Sequence, residues 1–336
     1  MKKKILIATD AARPQINGVV TTLENTKNEL EKRGYEVFVI EPSLFFNFKC
    51  PIYKEIDLAI PLTKKIEKII NEFDPDYVHI ATEWSIGLLT RRILNKKGQK
   101  WSSSFHTRFP EYMEEKFGFG KELIWKILRK IYKNDIRILT TTSTMSNVLV
   151  DNGFDKNNLV IWSRGVDENL IIKKSNENKE KIFLNVGRVS IEKNLEDFYK
   201  LKLPGKKIQV GSGPMLDEYK EKYPDVTFLG PKSGKELYEI YSSSDVFVFP
   251  SKSDTFGLVM IEAMRCGIPV AAFPVTGPID VIDNNITGIM DENLEKACID
   301  CLNLNNDIIF DKSKKYSWNN ATDIFEYNLI PIKLNT

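Results

Sequence analysis

Two acidic residues, Asp254 and Glu262, stand eight positions apart in the stretch FPSKSDTFGLVMIEAMRCGIPVAAFPVTG, residues 249–277. Eight residues of helix span roughly 12 Å. Two carboxyl groups at that distance are too far apart to act as the acid and the nucleophile or base of a glycosidase pair. They can bind the two ends of one elongated ligand, and we interpret them in that way.

The segment between the two acids predicts a helix over 256–266. The first N–H groups of a helix have no carbonyl partner within it, and such a terminus binds phosphate. We expect these groups to come from Phe256, Gly257, Leu258 and Val259. A diphosphate in the middle with sugar hydroxyls at both ends describes a nucleotide-sugar. The alternative is an ordinary strand, loop and helix in which Asp254 only caps the helix.

A second motif supplies positive charge. Gly187-Arg188 follows a predicted strand, and Lys193 lies five residues later at a predicted helix start. Departure of a nucleoside diphosphate builds negative charge on its oxygens, which two fixed cations and a helix terminus can stabilise without a metal. A D-x-D pattern at Asp74 and Asp76 precedes a strand, away from the carboxyl ends where parallel sheets bind ligands. We therefore predict no metal ligand there and no cofactor.

Polar residues in the first half follow predicted strands. Asn17-Gly18 lies before a helix, Glu83 follows the strand at 77–80, and His106 follows the strand at 102–105. Ligands of open parallel sheets bind at such strand ends, so His106 is a candidate to hydrogen-bond an acceptor or a sugar hydroxyl. The alternatives are a structural histidine and a simple glycine turn. The candidate acceptor-binding residues are Asn17, Glu83, Arg108 and Glu111.

Residues 121–133, KELIWKILRKIYK, predict an amphipathic helix. Its apolar stripe consists of Leu123, Ile124, Ile127, Leu128 and Ile131. A basic face with aromatic residues at its border suits an anionic membrane surface, whereas a core stripe with a solvated back is the commoner arrangement. The candidate membrane contacts are Trp125, Lys126, Arg129, Lys130, Tyr132 and Lys133.

Composition and charge limit the class of protein. The chain has 336 residues and a net charge of +2, but residues 1–165 carry 27 Lys and Arg against 20 Asp and Glu. A basic half favours an anionic partner, for which we expect a membrane surface rather than nucleic acid. Cys298 and Cys301 have CxxC spacing without a second pair or a nearby histidine, so neither zinc nor a disulfide framework is expected. We predict a cytoplasmic protein with no membrane span.

The elements that must position these residues alternate between strand and helix. Buried strands are predicted at 4–9, 35–40, 77–80 and 102–105, with helices between them, and the same rhythm returns from residue 182. This pattern predicts an α/β protein with two doubly wound, Rossmann-like parallel-sheet domains facing a cleft. We expect an acceptor-binding domain at 1–165, to which a C-terminal helix near 316–336 packs back, and a donor-binding domain at 166–315.

These motifs together resemble the family-four glycosyltransferases of the GT-B fold, over essentially the whole chain. The family pattern usually begins with Glu where this chain has Asp254. The resemblance implies retention of anomeric configuration without metal. It implies that Arg188 and Lys193 bind the diphosphate, Glu262 the ribose and Asp254 the donor sugar. It also implies that His106 lies near the reacting centre and that Gly18 contributes to donor binding.

Within that family, SSFHTRFPEY and SDTFGLVMIEAM are similar to a bacterial subgroup that includes diacylglycerol glucosyl- and glucuronosyltransferases. The expected reaction is sugar transfer from a UDP-sugar to diacylglycerol or another lipid at the cytoplasmic membrane face. Three alternatives remain open: a GDP-mannose enzyme acting on a glycan or polyprenyl acceptor, a nucleotide-sugar epimerase, and a non-catalytic membrane- or sugar-binding module.

Overall fold

The computed structural model describes residues 2–15, 17–49, 57–106, 110, 114, 118, 120–174 and 180–333. The chain divides into two units, Met1–Arg164 with Trp318–Thr336 (unit 1) and Gly165–Ser317 (unit 2). Each unit contains its own sheet and its own apolar core.

Unit 1 is built on a six-stranded parallel sheet with the order β2-β1-β5-β6-β7-β8. Its strands are β1 (Lys4–Ala8), β2 (Glu36–Ile40), β5 (Tyr77–Ile80), β6 (Ser102–Phe105), β7 (Arg137–Thr140) and β8 (Leu159–Ile161), and a separate hairpin consists of β3 (Phe46–Lys49) and β4 (Asp57–Ile60). Its first helices are α1 (Gly18–Lys32), α2 (Thr63–Phe73), α3 (Ser85–Lys96), α4 (Lys121–Tyr132) and α5 (Ser143–Asp151), with 3-10 turns at Pro42–Leu44 and Lys156–Asn158.

Unit 2 repeats the plan with the strand order β11-β10-β9-β12-β13-β14. Its strands are β9 (Lys181–Val186), β10 (Gly205–Val210), β11 (Val226–Gly230), β12 (Val246–Phe249), β13 (Val270–Ala272) and β14 (Gly288–Met290). Its helices are α6 (Leu195–Tyr199), α7 (Leu216–Lys222), α8 (Gly234–Ser242), α9 (Leu258–Arg265), α10 (Pro278–Val281), α11 (Leu294–Cys301) and α12 (Asn306–Ser313), with 3-10 turns at Glu168–Leu170 and Ile191–Lys193.

Both faces of each sheet are buried, because neighbouring residues of a strand enter different cores. In β1, Leu6 joins one apolar cluster of unit 1 while Ile5 and Ile7 join another. In β12, Phe247 and Val248 divide in the same way. A parallel sheet covered by helices on both faces is the Rossmann-like arrangement, so the predicted fold class of two parallel-sheet domains is confirmed.

Helix α13 (Trp318–Tyr327) follows unit 2 in the chain but packs on unit 1. Phe325 is fully buried in the core that contains Ile5 and Ile7. Trp162 donates its indole N–H to the carbonyl of Ala321 at 3.0 Å. Tyr35 donates its hydroxyl to the Glu326 carboxylate at 2.6 Å, which holds the helix against the end of α1.

Candidate active site

The loop after β9 presents Arg188 at the carboxyl edge of the unit 2 sheet. A second turn, at Gly211-Ser212-Gly213, packs directly on this loop, and the amide of Val189 donates to the carbonyl of Ser212 at 3.0 Å. A Cβ at Gly211 would lie 1.9 Å from the carbonyl oxygen of Gly187, so only glycine permits this approach. The glycine turn, which the sequence analysis did not assign to the site, therefore fixes the backbone on which Arg188 stands.

Lys193 and Asp254 form an ion pair. The ammonium group of Lys193 donates to both carboxylate oxygens of Asp254, at 2.7 and 2.8 Å. Lys193 ends a 3-10 turn after β9, and Asp254 lies in the loop after β12, so two neighbouring strands bring them together. About a quarter of each side chain is exposed. Two residues for which separate roles were predicted thus form one unit.

The charge state of Asp254 follows from this pairing. Desolvation acts to raise the pKa of the carboxyl, but the positive charge of Lys193 and its hydrogen bonds outweigh that effect and lower the pKa. Asp254 is therefore an ionised acceptor of hydrogen bonds at neutral pH. An ammonium group has three donors, so Lys193 can engage a phosphate oxygen with the third while it holds Asp254.

Helix α9 begins two residues later than predicted, at Leu258, with Gly257 as the N-cap. Gly257 adopts a left-handed conformation (φ 80°), and a Cβ there would lie 2.8 Å from the side chain of Met260 and 3.0 Å from that of Phe249. Leu258 and Val259 open the first turn, where N–H groups lack a helical partner. Phe256 lies before the cap, and its ring is buried against Tyr316, so its side chain belongs to the core.

Glu262 is held by a partner that the sequence analysis missed. Tyr241, buried on α8, donates its hydroxyl to the Glu262 carboxylate at 2.8 Å. Desolvation raises the pKa of Glu262, and the Tyr241 bond offsets part of that rise. The aromatic spacing of α8 indicates only a core face, so no signal in the sequence distinguished Tyr241 from its buried neighbour Tyr238.

The backbone at Asp254 is also held by Gly277. A Cβ at Gly277 would lie 2.6 Å from the carbonyl oxygen of Asp254. The turn before α10 therefore packs on the loop that carries the first acid. The eight-residue step from Asp254 to Glu262 consists of this loop and the start of α9, rather than of continuous helix.

In unit 1, His106 follows β6 and is buried beside Arg164. A guanidinium N–H of Arg164 lies 3.0 Å from Nδ1 of His106. Because arginine only donates, Nδ1 must accept, and the proton of the neutral ring is on Nε2. Burial, followed by the charge of Arg164, lowers the pKa of His106 well below its ordinary value. His106 is thus a neutral imidazole that offers an N–H donor.

Glu83 follows β5 and lies within a buried polar group. The hydroxyl of Tyr132 donates to the carbonyl of Ser104 at 2.8 Å and lies 3.3 Å from the Glu83 carboxylate. Arg91 donates to the carbonyl of Thr82 at 2.9 Å, and so fixes the chain just before Glu83. Desolvation raises the pKa of Glu83, against the lowering effect of Arg91.

Asn17 and Gly18 stand at the start of α1. The side-chain oxygen of Asn17 accepts from the amides of Val19 and Val20, both at 3.0 Å, so it caps the helix. Gly18 is the first helical residue and is exposed. The roles predicted for these two residues stay predictions, and Arg108 and Glu111 lie outside the described residues.

In helix α4, two side chains that were predicted to be exposed are buried. Trp125 and Tyr132, proposed as membrane contacts, are buried. Trp125 stacks on Phe105, with ring centroids 6.0 Å apart, because the interior beside β6 needs large rings to fill it. Arg129 donates to the carbonyl of Asn152 at 2.8 Å. The prediction that Trp125 and Tyr132 contact a membrane is therefore wrong. Lys126, Lys130 and Lys133 are exposed.

The residues of the rejected metal motif support the backbone of unit 1. The Asp76 carboxylate accepts from the amide of Lys4 at 2.7 Å, and Asp74 ends α2 in a left-handed conformation. Within the described ranges, no group of three or more His, Cys, Asp or Glu side chains could hold a metal ion. In the same part of the chain, no helix combines the length and apolar character needed to cross a membrane.

Sequence comparisons match this architecture. The model described as Glycosyltransferase Family 4 matches residues 16–170, and the model described as Glycosyl transferases group 1 matches residues 167–300. The two models meet near the boundary between the units and together span most of the chain. The chain is therefore a glycosyltransferase that carries a family-four domain followed by a group 1 domain.

Several curated relatives align along most of the chain. It is 28% identical to sulfoquinovosyl transferase SQD2 of Arabidopsis thaliana over 81% of this chain, but spans only 60% of that protein's length. It is 25% identical to a GDP-mannose-dependent alpha-mannosyltransferase of Corynebacterium glutamicum, over 85% of this chain and 76% of the relative. It is 26% identical to alpha-monoglucosyldiacylglycerol synthase of Streptococcus pneumoniae, over 80% of this chain and 70% of the relative.

Solved structures share the fold. The sucrose-phosphate synthase of Thermosynechococcus elongatus matches with a TM-score of 0.74 at 19% identity, covering 97% of this chain and 98% of its own. The lipopolysaccharide outer core galactosyltransferase WaaB matches with a TM-score of 0.70 at 16% identity, and the match covers 96% of this chain and 98% of WaaB. These likenesses establish the GT-B type of fold.

Proposed function

We propose that this protein is a retaining glycosyltransferase that needs no metal and moves a hexose or hexuronic acid from a UDP-sugar to a lipid acceptor, with diacylglycerol as the first candidate. The observation that carries the proposal is the Lys193–Asp254 ion pair beside the first turn of α9. It combines a phosphate-binding cation, an ionised carboxylate for sugar hydroxyls and free helix N–H groups.

Different residues of unit 2 would bind successive parts of the nucleotide-sugar donor. Arg188, Lys193 and the N–H groups of Leu258 and Val259 would bind the diphosphate, and Glu262 the ribose. When the bond from the anomeric carbon to the phosphate oxygen breaks, its electron pair stays on that oxygen, where these groups stabilise the charge. The acceptor hydroxyl oxygen bonds to the same face of the carbon, and its proton passes to the leaving phosphate. His106 would donate its Nε2–H to a sugar or acceptor hydroxyl.

Two observations favour a lipid acceptor. Relatives of this chain carry the names of a monoglucosyldiacylglycerol synthase and a sulfoquinovosyl transferase. Helix α4 also exposes 62% of Leu123 and 48% of Ile127 beside Lys126 and Lys130. Exposed aliphatic side chains with lysines between them suit an anionic bilayer surface, so we propose peripheral association with the inner face of the cell membrane.

A second candidate is a GDP-mannose-dependent mannosyltransferase that acts on a glycan or polyprenyl acceptor. It is favoured by the mannosyltransferases among the relatives, which align over 85% of this chain. Both candidates use the same donor machinery, and they differ in the base and in the acceptor.

A product assay separates the candidates. Purified protein is incubated with diacylglycerol vesicles and, separately, with UDP-glucose, UDP-galactose, UDP-glucuronate and GDP-mannose, and products are read by mass spectrometry. We expect a glycosyl-diacylglycerol that is lost in Arg188→Ala and Glu262→Ala and retained in Lys235→Ala, an exposed lysine of α8. Hydrolysis of one donor without a lipid product would exclude the lipid acceptor and direct the search to glycan or polyprenyl acceptors.

A further inference from the structure

The hairpin β3–β4 carries large apolar side chains on an outward face. Phe46 pairs with Ile60 across the two strands, and Phe48 pairs with Leu58. Directly paired residues, and residues two apart along a strand, share one face of a hairpin, so these four form a single surface. Phe46 is 74% exposed, Ile60 53% and Phe48 44%.

The opposite face of the hairpin attaches it to unit 1. Ala59 packs against the core that contains Ile66 and Ile86. Asn47 donates its side-chain amide to the carbonyls of Pro42 and Phe45 at 3.2 and 3.3 Å. The hairpin therefore turns Ala59 toward the core and leaves the large side chains of Phe46, Phe48 and Ile60 exposed, which reverses the usual pattern of a half-covered antiparallel pair.

The apolar surface continues to the start of α2. Leu62 is the N-cap residue of this helix and is 64% exposed, at a position where a polar residue usually caps. A groove runs between this end of the helix and the hairpin, and it is lined by Leu44, Phe45, Phe46, Ile60, Leu62 and Lys65. We name Phe46, Phe48, Leu58, Ile60 and Leu62 the hairpin face.

Two lysines border the hairpin face in the first turn of α2, where positive charge is unfavourable for the helix. Lys64 and Lys65 are exposed in the first turn of α2, which contains no acidic residue. Positive side chains at a helix N-terminus oppose the helix macrodipole. An anionic partner at this point would offset that repulsion, while the apolar side chains beside it need a partner that accepts hydrocarbon.

We propose that the hairpin face docks this protein on the anionic surface of a lipid bilayer, with Phe46 and Phe48 inserted at the level of the headgroups and Lys64 and Lys65 paired with lipid phosphates. Aromatic side chains beside lysines are the chemistry of that interface. A second copy of the chain is a poorer occupant. Five side chains cover a few hundred square ångströms, whereas a standard protein interface needs about 800 Å² from each partner.

The hairpin face is attached to the polar edge of unit 1. Ser85, at the start of α3, donates its hydroxyl to the carbonyl of Ala59 at 3.0 Å and lies 3.1 Å from the Asp10 carboxylate. Asp10 also accepts from the amide of Ile86 at 2.8 Å, so it ties β1 to the start of α3, two residues after Glu83. Docking would bring a bilayer to this edge. A benefit of this placement for sugar transfer rests on the proposed lipid acceptor, whereas the docking itself does not rest on it.

The test measures binding of the full chain to vesicles by co-sedimentation, with no sugar donor present. Vesicles contain phosphatidylcholine alone or phosphatidylcholine mixed with phosphatidylglycerol. We expect Phe46→Ser with Phe48→Ser to lower the partition coefficient on the mixed vesicles at least about tenfold. Lys64→Glu with Lys65→Glu should remove the preference for phosphatidylglycerol. Tyr327→Ser removes an aromatic side chain that is 89% exposed elsewhere in unit 1 and should bind as the wild type does.

Two results would overturn the proposal. One is unchanged vesicle binding in both double variants, each shown to be folded by circular dichroism. The other is a wild type that self-associates in light scattering, binds no vesicles and becomes monomeric on Phe46→Ser with Phe48→Ser, which would assign the face to a second copy.

Transfer to a dispersed short-chain diacylglycerol separates this proposal from the proposed function. The Phe46→Ser, Phe48→Ser variant should keep that activity while it loses vesicle binding. If no variant and no wild type makes product, but vesicle binding still depends on the two phenylalanines, the lipid-acceptor reaction fails and the docking surface stands.

Discussion

Lys193 has three hydrogen-bond donors, and Asp254 accepts two of them. The two side chains come from positions 61 residues apart and meet because β9 and β12 are neighbours in the sheet. The pair keeps the carboxylate ionised and the ammonium group fixed before any ligand arrives. Such preorganisation is the property that stabilises charge developing in a transition state.

Removal of either member of this pair should impair the other. We expect Lys193→Ala to lower kcat/KM for sugar transfer about a hundredfold or more, and Asp254→Ala to do the same. Because the residues act together, the double variant should lose less than the product of the two effects. Lys252→Ala, which breaks an exposed ion pair with Asp197, is the control. Additive losses would show that the residues act independently.

The second prediction concerns the hydroxyl of Tyr241. Its hydrogen bond lowers the pKa of Glu262 against the effect of desolvation. Tyr241→Phe should therefore raise that pKa further, so that Glu262 becomes protonated at a higher pH and loses its capacity to accept from a ribose hydroxyl. We expect UDP to bind about three- to tenfold more weakly, with the larger loss at pH 6 than at pH 8.

Isothermal titration calorimetry at the two pH values measures this effect. Tyr238→Phe, a change at the neighbouring buried tyrosine of α8, should leave UDP binding and its pH dependence unchanged. An equal loss in both variants at both pH values would mean that Tyr241 acts through packing alone.

Sequence could identify these residues only in part. Arg188, Lys193, Asp254 and Glu262 were found because each lies in a short local pattern of residue type and spacing. The partners Tyr241 and Arg164 were not found, because their contacts span 21 and 58 residues and depend on the packed fold. For the same reason, the protonated nitrogen of His106 could be assigned only from the donor that faces it.

At the scale of elements, α4 shows what determines the buried face of a helix that has apolar residues on several sides. The interior beside β6 accepts Trp125, Leu128 and Tyr132, and it leaves Leu123 and Ile127 exposed. Spacing alone predicted a stripe that included these last two residues. Ring volume and the hydroxyl partners of Tyr132 determined the orientation, and neither is encoded in the periodicity.

Substitutions on the two faces of α4 should therefore differ sharply. Trp125→Ala should lower the free energy of unfolding by about 3–5 kcal/mol, because it leaves a cavity against Phe105. Leu123→Ser with Ile127→Ser should change it by less than about 0.5 kcal/mol at each position. Urea denaturation measures both. Comparable destabilisation by the two variants would contradict the orientation of the helix.

The hairpin β3–β4 was not predicted at all. Its strands are four residues each and contain Asn47 and Lys49, and the large apolar side chains of Phe46, Phe48 and Ile60 are exposed. Alternation indicates which residues share a face, but it does not say whether that face meets the core or the surroundings. A surface built for a partner therefore has the same pattern as one built for the interior.

At the scale of the whole molecule, the repeated alternation of strand and helix was sufficient to predict two parallel sheets. Continuous apolar runs such as Ile5–Ala8 and Val246–Phe249 leave little alternative to strands buried on both faces. The predicted limits at 77–80 and 102–105 are those of the structure, whereas β1 ends one residue earlier than predicted and β2 begins one residue later. Local patterns do not determine where hydrogen bonding between strands ends.

The stability of unit 1 should depend on pH through His79. This residue is fully buried between the hydroxyls of Ser102 and Ser104, at 3.0 and 2.6 Å, and burial lowers its pKa from 6.5 to about 3. Between these values the unfolded chain binds a proton that the folded state does not. The free energy of unfolding therefore falls as the pH drops below 6.5, by up to about 1.4 kcal/mol per pH unit.

Urea denaturation at pH 7.5 and 5.0 tests this expectation. All five tryptophans, at 84, 101, 125, 162 and 318, belong to unit 1, so their fluorescence follows that unit alone. His79→Gln should show a shallower loss of stability between the two pH values than the wild type. An identical loss would assign the pH dependence to other groups, of which buried His106 is the first.

Helix α13 has a consequence for the order in which the protein forms during synthesis. The ribosome makes all of unit 2 before it makes Phe325, the side chain that completes the core around Ile5 and Ile7. Unit 1 is therefore translated first but finished last, and its sheet stays partly uncovered while unit 2 emerges. A nascent chain halted near residue 315 should present a folded donor unit and an unfinished partner, which is a substrate for chaperones that bind exposed apolar strands.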